Sequence, residues 1–384
     1  MPWSGILGLS AYSFVERFTW YSVRAVLIIY MLEFPGFTGT DASTVYGNFT
    51  VSIYLLAFLG ALAGDFLLTP IRTLILGAIL QAAGCFFLAV PQTEFLYAGL
   101  VLLALSTGLT KPNLFAQYAA IFHGKRHFMA SGAALIYIAI NLGAFIAPFF
   151  AGSLANSTPP DFQLLFNSVA LISLLSIIPL FLNFRRFETN YADHRNSPSE
   201  NHTGGWIALI SMLFLLPVFW TIYQVLTAGI WTRCPLPHIG ELLIATATIL
   251  FSLTLAICFW HFSKINILFS AAFGFLFCLL AVIFNRMMGP CNPAAPASLL
   301  AAELLIVIPA YAIVGRYAPR KLTSLFYALF GLCAFASNKL AHGVKDFIAG
   351  NGTVAALWIF IAVIIVAIIL LAFTGFLIRR KFPE

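Results

Sequence analysis

The stretch Ser13-Phe14-Val15-Glu16-Arg17-Phe18-Thr19-Trp20-Tyr21-Ser22-Val23-Arg24 lies inside an apolar run from about Ile6 to Met31. A run of that length crosses a bilayer as a helix, which needs ~20 residues at ~1.5 Å each. It nevertheless carries Glu16, Arg17 and Arg24 well inside its ends. An ionisable group at that depth costs ~2.5 kcal/mol or more on insertion, so it is kept for a partner or a task. On a helix Ser13, Arg17, Tyr21 and Arg24 share one face, because spacings of four and seven return to the same side. Trp20 borders that stripe, and Glu16 leaves the helix on a different flank. Two guanidiniums beside aromatic rings form a site for a charged ligand. The competing reading is an ion-pair lattice that only ties helices together.

The rest of the chain agrees with a membrane setting. Of 384 residues 61% are hydrophobic and only 9% charged, and mean hydropathy is +0.97. That leaves too little polar surface for a soluble domain. Long unbroken apolar segments predict an all-α polytopic membrane protein rather than a barrel. About twelve spans are expected, near 6–31, 43–69, 71–90, 95–119, 128–153, 162–184, 206–231, 239–262, 265–286, 297–317, 323–345 and 353–379. Between the sixth and seventh lies the one long polar stretch, Arg185 to Gly205, with the composition of a flexible linker. The expected organisation is a six-helix bundle over 1–186, a cytoplasmic linker over 187–205 and a second six-helix bundle over 206–384. Six spans, a linker and six spans is the layout of the major facilitator fold, in which two bundles rock about a central site.

The net charge of +7 follows topology, not nucleic acid. One set of loops and ends holds most Lys and Arg, including Arg72, Lys125, Arg126, Arg185, Arg186, Arg320 and Lys381. The opposite set holds only Arg233, Arg286 and Lys345. That asymmetry puts both chain ends in the cytoplasm. No cleavable signal peptide is expected, since the first apolar segment is too long and charged at mid-span. The cysteines lack metal-ligand spacing. Cys234 and Cys291 fall in loops on the side that permits a disulfide. No enzyme chemistry is expected, because no phosphate loop, zinc signature or Ser/His/Asp grouping occurs.

Further polar residues mark the spans. Gly60-Ala-Leu-Ala-Gly64-Asp65, followed by Pro70-Ile-Arg72, sets small residues four apart for close helix packing. Asp65 and Arg72 can cap helix ends or form pairs at the cytoplasmic face, which suits a gate. Lys111 lies in an apolar run before Pro112, where it either snorkels to the interface or pairs with Glu16. Asn141 is the strongly polar side chain of the fifth span and needs a hydrogen-bond partner. The seventh span carries Pro217-Val-Phe-Trp220-Thr-Ile-Tyr223-Gln224. Glu303 is the carboxylate well inside the second bundle, Glu241 is expected at an interface, and Lys339 has no evident partner.

These residues together resemble the proton-dependent oligopeptide transporter family. Its first-span motif, Glu-x-x-Glu-Arg-Phe-x-Tyr-Tyr and a later Arg, is similar to Ser13-x-x-Glu16-Arg17-Phe18-x-Trp20-Tyr21 with Arg24. Gly108-x-x-Lys111-Pro112-Asn113, Tyr137-x-x-x-Asn141-x-Gly143-x-x-x-x-Pro148, Phe219-Trp220-x-x-Tyr223 and Glu303-Leu304 extend the likeness. The resemblance implies a cavity for di- and tripeptides bound as zwitterions. Arg17, Arg24 and Lys111 would hold the carboxylate, Glu303 the amino group, and Tyr21, Asn141 and Trp220 would line the cavity. Glu16, Lys111 and Glu303 are the implied groups for proton coupling, the proton being the coupling ion and no cofactor being required.

The chain departs from the family pattern at Ser13, at Trp20 and at Gln224, which stands where many members carry an acid. The expectation is a secondary transporter that imports di- and tripeptides or similar solutes with protons, by alternating access. The alternatives are an uncoupled or non-peptide facilitator of the same fold, and a membrane sensor that binds peptide without moving it. The implied setting is a bacterial inner membrane. The expected partners are small peptides and the lipid bilayer, with no nucleic acid and no obligate protein partner.

Overall fold

The computed structural model describes residues 3–34, 36–157, 160–197, 203–233, 250–251, 253–255, 257–258, 267–287 and 292–381. Helices make up almost all of this, and no strand occurs among the described residues. The elements are α1 (Trp3–Leu32), α2 (Gly39–Leu62), α3 (Pro70–Leu88), α4 (Thr93–Ile121), α5 (Met129–Ala155), α6 (Phe162–Leu175), α7 (Ile177–Leu182) and α8 (Phe184–Asn196). They continue with α9 (Thr203–Arg233), α10 (Ile267–Met287), α11 (Ala294–Tyr317), α12 (Thr323–Asn351) and α13 (Thr353–Lys381). Ten helical stretches among the described residues are long and apolar enough to cross a membrane. Beyond those ten, α1 has 30 residues and carries the charged stretch. The expected span at 239–262, with Glu241, lies largely outside the described residues, as do Cys234 and Cys291.

Local sequence explains the ends. Thr38 caps α2 in a capping box with Asp41, each side chain taking the other's backbone N–H. Pro70 opens α3, where its missing N–H is no loss. A π-helical stretch, Ala63–Leu67, prolongs α2 through Asp65.

Two units emerge. The first comprises Met1–Gly124, Leu135–Ser197 and Arg320–Ala328. In it α4 packs on α2 and α3, and α6 on α1 and α3. Tyr30, Phe34, Phe162 and Phe166 close one end of α1 in a ring cluster. The second unit comprises Lys125–Ala134, Pro198–Pro319 and Leu329–Glu384. There α10 packs on α11 and α13, while α9 touches α11 and α13.

The polar stretch expected to be flexible is helical over Phe184–Asn196. Phe187, Tyr191 and His194, spaced four and three apart, bury one face of α8 against the first unit. Glu188 accepts from Thr69 Oγ1 (2.6 Å) and from Arg72 Nε (2.9 Å). Arg195 donates to the Asp65 carbonyl (2.6 Å). Tyr191 points its hydroxyl at the Gly64 carbonyl (3.4 Å), and its burial holds that phenol above the ordinary range.

Candidate functional site

In the first unit the motif on α1 is held from several sides. Gly143 of α5 lies against it, since a Cβ there would come within 2.5 Å of the Phe14 carbonyl oxygen and 2.9 Å of the Phe18 nitrogen. Only a glycine lets α5 approach α1 beside Arg17. Gln81 of α3 donates to the Glu16 carbonyl at 3.3 Å. Ser13 is fully buried and turns its hydroxyl back to the Leu9 carbonyl (2.8 Å), which leaves it a packing role.

Glu16 and Arg17 form a bidentate pair through Nε–Oε2 and Nη2–Oε1, with Glu16 1% and Arg17 7% exposed. Of the two readings of Lys111, the pair with Glu16 is therefore not the one formed. Neighbouring residues leave a helix about 100° apart, but the guanidinium is long enough to fold back onto the carboxylate beside it. Arg17 also stands over the Trp20 ring, 5.9 Å from its centroid.

Lys111 makes no ion pair among the described residues. Its ammonium lies over the ring of Tyr54, 5.5 Å from the centroid, and its side chain is partly exposed. The charges of Arg17, Glu16 and Arg24 all act on it. Arg24, also exposed, donates to Tyr46 Oη at 2.8 Å and stands over Tyr21, 5.8 Å from the ring centroid. Asn141 donates to the Tyr137 carbonyl one turn earlier on α5 (2.8 Å), which answers the need for a partner. Around the motif of α1, three cations therefore stand beside Glu16, whose carboxylate Arg17 already engages. Tyr46 and Tyr54 were missed in the sequence, where a tyrosine on an apolar helix carries no mark of what it faces.

The small-residue element of α2 packs as expected. Gly60 meets the Gly108 backbone of α4, and a Cβ at Gly64 would fall on the Asn113 amide oxygen. Asn113 donates to the Gly60 and Leu109 carbonyls, both at 2.8 Å, and accepts from Ser324 Oγ at 3.0 Å. Asp65, fully buried, accepts the backbone N–H groups of Ser324 (3.1 Å) and Leu325 (2.9 Å). These belong to the first turn of α12, so Asp65 satisfies donors that a helix start leaves unpaired. Arg72 pairs with Glu188.

In the second unit Glu303 of α11 is half-buried and hydrogen-bonded by the Tyr223 hydroxyl of α9. Phe219, Trp220 and Tyr223 pack ring to ring at 5.3–5.8 Å and fix that phenol. Gln224 donates from Nε2 to Ser337 Oγ of α12 at 2.9 Å, so the amide in the acid's place serves as a tie between α9 and α12.

Comparison with known proteins fits these arrangements. The fold is that of the human organic anion transporter MFSD10, with TM-score 0.72 and 16% identity over 96% of this chain and 99% of that one. A POT family transporter solved with 5-aminolevulinic acid has TM-score 0.63 and 17% identity, over 99% and 97% of the two chains. The protein is thus an integral membrane protein with the major facilitator fold. Residues 71–196 match the model of the POT family. Dipeptide and tripeptide permease B of Photorhabdus asymbiotica is 28% identical over 219 residues, 56% of this chain and 44% of that protein. A di-/tripeptide transporter of Lactococcus lactis is 25% identical over 231 residues, 57% and 46% of the two. Over these stretches the chain is similar to the POT family. It spans less than half the length of those curated relatives.

Proposed function

We propose that the protein is a proton-coupled carrier of di- and tripeptides or peptide-like solutes, working by alternating access in a bacterial inner membrane with both termini cytoplasmic. The observation that carries this reading is the segregation of charge. Cations gather at Arg17, Arg24 and Lys111 in the first unit, and the tethered carboxylate Glu303 stands in the second. A zwitterion carries partner charges of both signs. The names of the curated relatives, peptide permeases and transporters, support the same substrate class.

Coupling would run through Arg17. A substrate carboxylate arriving at Arg17 competes with Glu16 for the same fork of donors. Glu16, released from its counter-charge, is the group that takes the coupling proton. Lys111 and Glu303 complete the set of groups whose charge depends on occupancy, and Asp65 and Arg72 serve the gate through the contacts they make.

The test is peptide uptake into proteoliposomes with and without an inward proton gradient. Gradient-driven accumulation is the expected result. Equal uptake under both conditions would leave an uncoupled facilitator, and saturable binding without uptake would leave a sensor. Glu16→Gln is expected to abolish accumulation while counterflow of peptide continues. Normal accumulation by that variant removes Glu16 from the mechanism.

A further inference from the structure

His194 ends the buried face of α8 and is 1% exposed. A short 3-10 turn, Arg320–Leu322, leads into α12 beside it, within the same unit. Arg320 Nη1 points at His194 Nδ1 (3.5 Å), and His194 Nε2 meets Thr323 Oγ1 (3.3 Å). Thr323 in turn donates its hydroxyl to the Arg320 carbonyl at 3.2 Å. An imidazole, a hydroxyl and an arginine thus close a cycle of hydrogen bonds at the start of α12.

The donors assign the protons in this cycle. A guanidinium only donates, so Nδ1 accepts. The single hydroxyl proton of Thr323 goes to the Arg320 carbonyl, which leaves its oxygen to accept from Nε2–H. His194 is therefore neutral, with its proton on Nε2. An imidazolium carries N–H on both nitrogens, and the one at Nδ1 would confront the N–H and the charge of Arg320, itself only 5% exposed.

Other charged and titratable groups approach from each element packed on α8. His123, just past α4, stands edge-on to the His194 ring, 5.8 Å between centroids. From α3, Arg72 is engaged by Glu188. Asp65 gives its carboxylate to the amides of Ser324 and Leu325. Lys321 of the turn and Asp193 of α8 are exposed. Arg195 is drawn to the Asp65 carbonyl, with Tyr191 beside it.

Arg320–Ala328 group with the first unit, although α12 from Leu329 onward belongs to the second. We propose that His194 is a proton-sensitive latch on this segment: neutral, it holds Arg320–Ala328 against the first unit, and protonated, it lets the segment go. The latched form takes no proton at His194, whereas an imidazole freed to water takes one below about pH 6.5. The hold is therefore full above that pH and is lost progressively below it. On the transport reading this face is cytoplasmic, so the latch senses pH where solute is delivered. Its test does not depend on whether peptides are carried.

Hydrogen–deuterium exchange on the full chain in detergent compares about pH 7.5 with about pH 5.5, after correction for the intrinsic effect of pH on exchange. Amides of 323–328 should open about tenfold more often at the lower pH, about one unit below the range of a free imidazole. Those of α10 should keep their rates. His194→Gln can donate to Thr323 and accept from Arg320 but takes no proton, so it should erase the difference. Arg320→Gln keeps a donor without the charge and should reduce it. No difference in the unaltered protein overturns the proposal. So does a difference that survives His194→Gln, which would move the titration to Asp65 or His123. Should His194→Gln leave the segment open at both pH values, the imidazole nitrogen resonances of the unaltered protein decide. The signal missing from His194→Gln should report a neutral ring protonated at Nε2 at the higher pH, and a charged ring or an Nδ1–H ring there overturns the latch.

Discussion

Replacing Asp65 by Asn removes one atom's worth of chemistry and tests how α12 begins. The carboxylate is fully buried and accepts two backbone N–H groups, at 3.1 and 2.9 Å. Hydrogen bonds to a charged acceptor contribute roughly 1.5–3 kcal/mol each, and neutral ones roughly 0.5–1.5. The amide keeps one acceptor oxygen and turns an NH2 group toward the second N–H, so one bond is lost and the other loses its charge. The helix start also loses a favourable anion, about 0.3–1 kcal/mol. Against this, a neutral amide is less costly to bury than a carboxylate. The balance is about 2–3 kcal/mol against keeping Thr323–Ala328 in the first unit, which opens that segment about 30- to 150-fold more often. Hydrogen–deuterium exchange on the full chain in detergent reads this directly. Amides near Ser324 and Leu325 should exchange faster by that factor, while those of α10 in the second unit keep their rates. Unchanged exchange at both residues would refute the reasoning, because it would mean the carboxylate adds nothing to donors that water can satisfy.

Gly64→Ala should expel the Asn113 amide and break its bonds to Gly60, Leu109 and Ser324, lowering thermal stability by about 2–4 kcal/mol; an unfolding temperature like that of the parent would contradict the close approach. Glu303→Gln should weaken free-amine peptides roughly tenfold more than N-acetylated ones, as competition assays would report, and equal losses would make Glu303 structural. Tyr223→Phe removes the donor that holds Glu303, so free-amine peptides should bind several-fold more weakly while expression and unfolding temperature stay close to the parent's. Unchanged binding would detach Tyr223 from that carboxylate.

The membrane fold was legible because each span announces itself by length alone, and α1 lies within a few residues of the apolar run that foretold it. Gly60 and Gly64 were legible for a related reason, since spacing on a helix fixes a shared face. The partners of polar groups were not. Asp65 meets amides some 260 residues away in sequence, and no local pattern encodes that distance. The pairing of Glu16 with Arg17 could not be decided from the sequence, because helical geometry directs neighbours apart and only the length of the arginine reverses it. In α8 the signal was present: Phe187, Tyr191 and His194 recur at helical spacing. Polar composition across the stretch concealed it, because composition reports average solvation and says nothing of one buried face.

The bond between Asp65 and α12 has an evolutionary corollary. Its donors at Ser324 and Leu325 belong to the main chain, so the side chains there are not what Asp65 selects. Drift at Leu325 should be wide, excluding chiefly proline, which has no N–H to give. Position 324 is less free, because the Ser324 hydroxyl also serves Asn113; exchange with threonine is the change most easily absorbed. Position 65 has no such latitude, since glutamate adds a methylene in a fully buried place and asparagine lacks the charge. Among homologues the aspartate should therefore stand nearly invariant opposite a partner segment whose letters change, a pairing that covariation between columns would overlook.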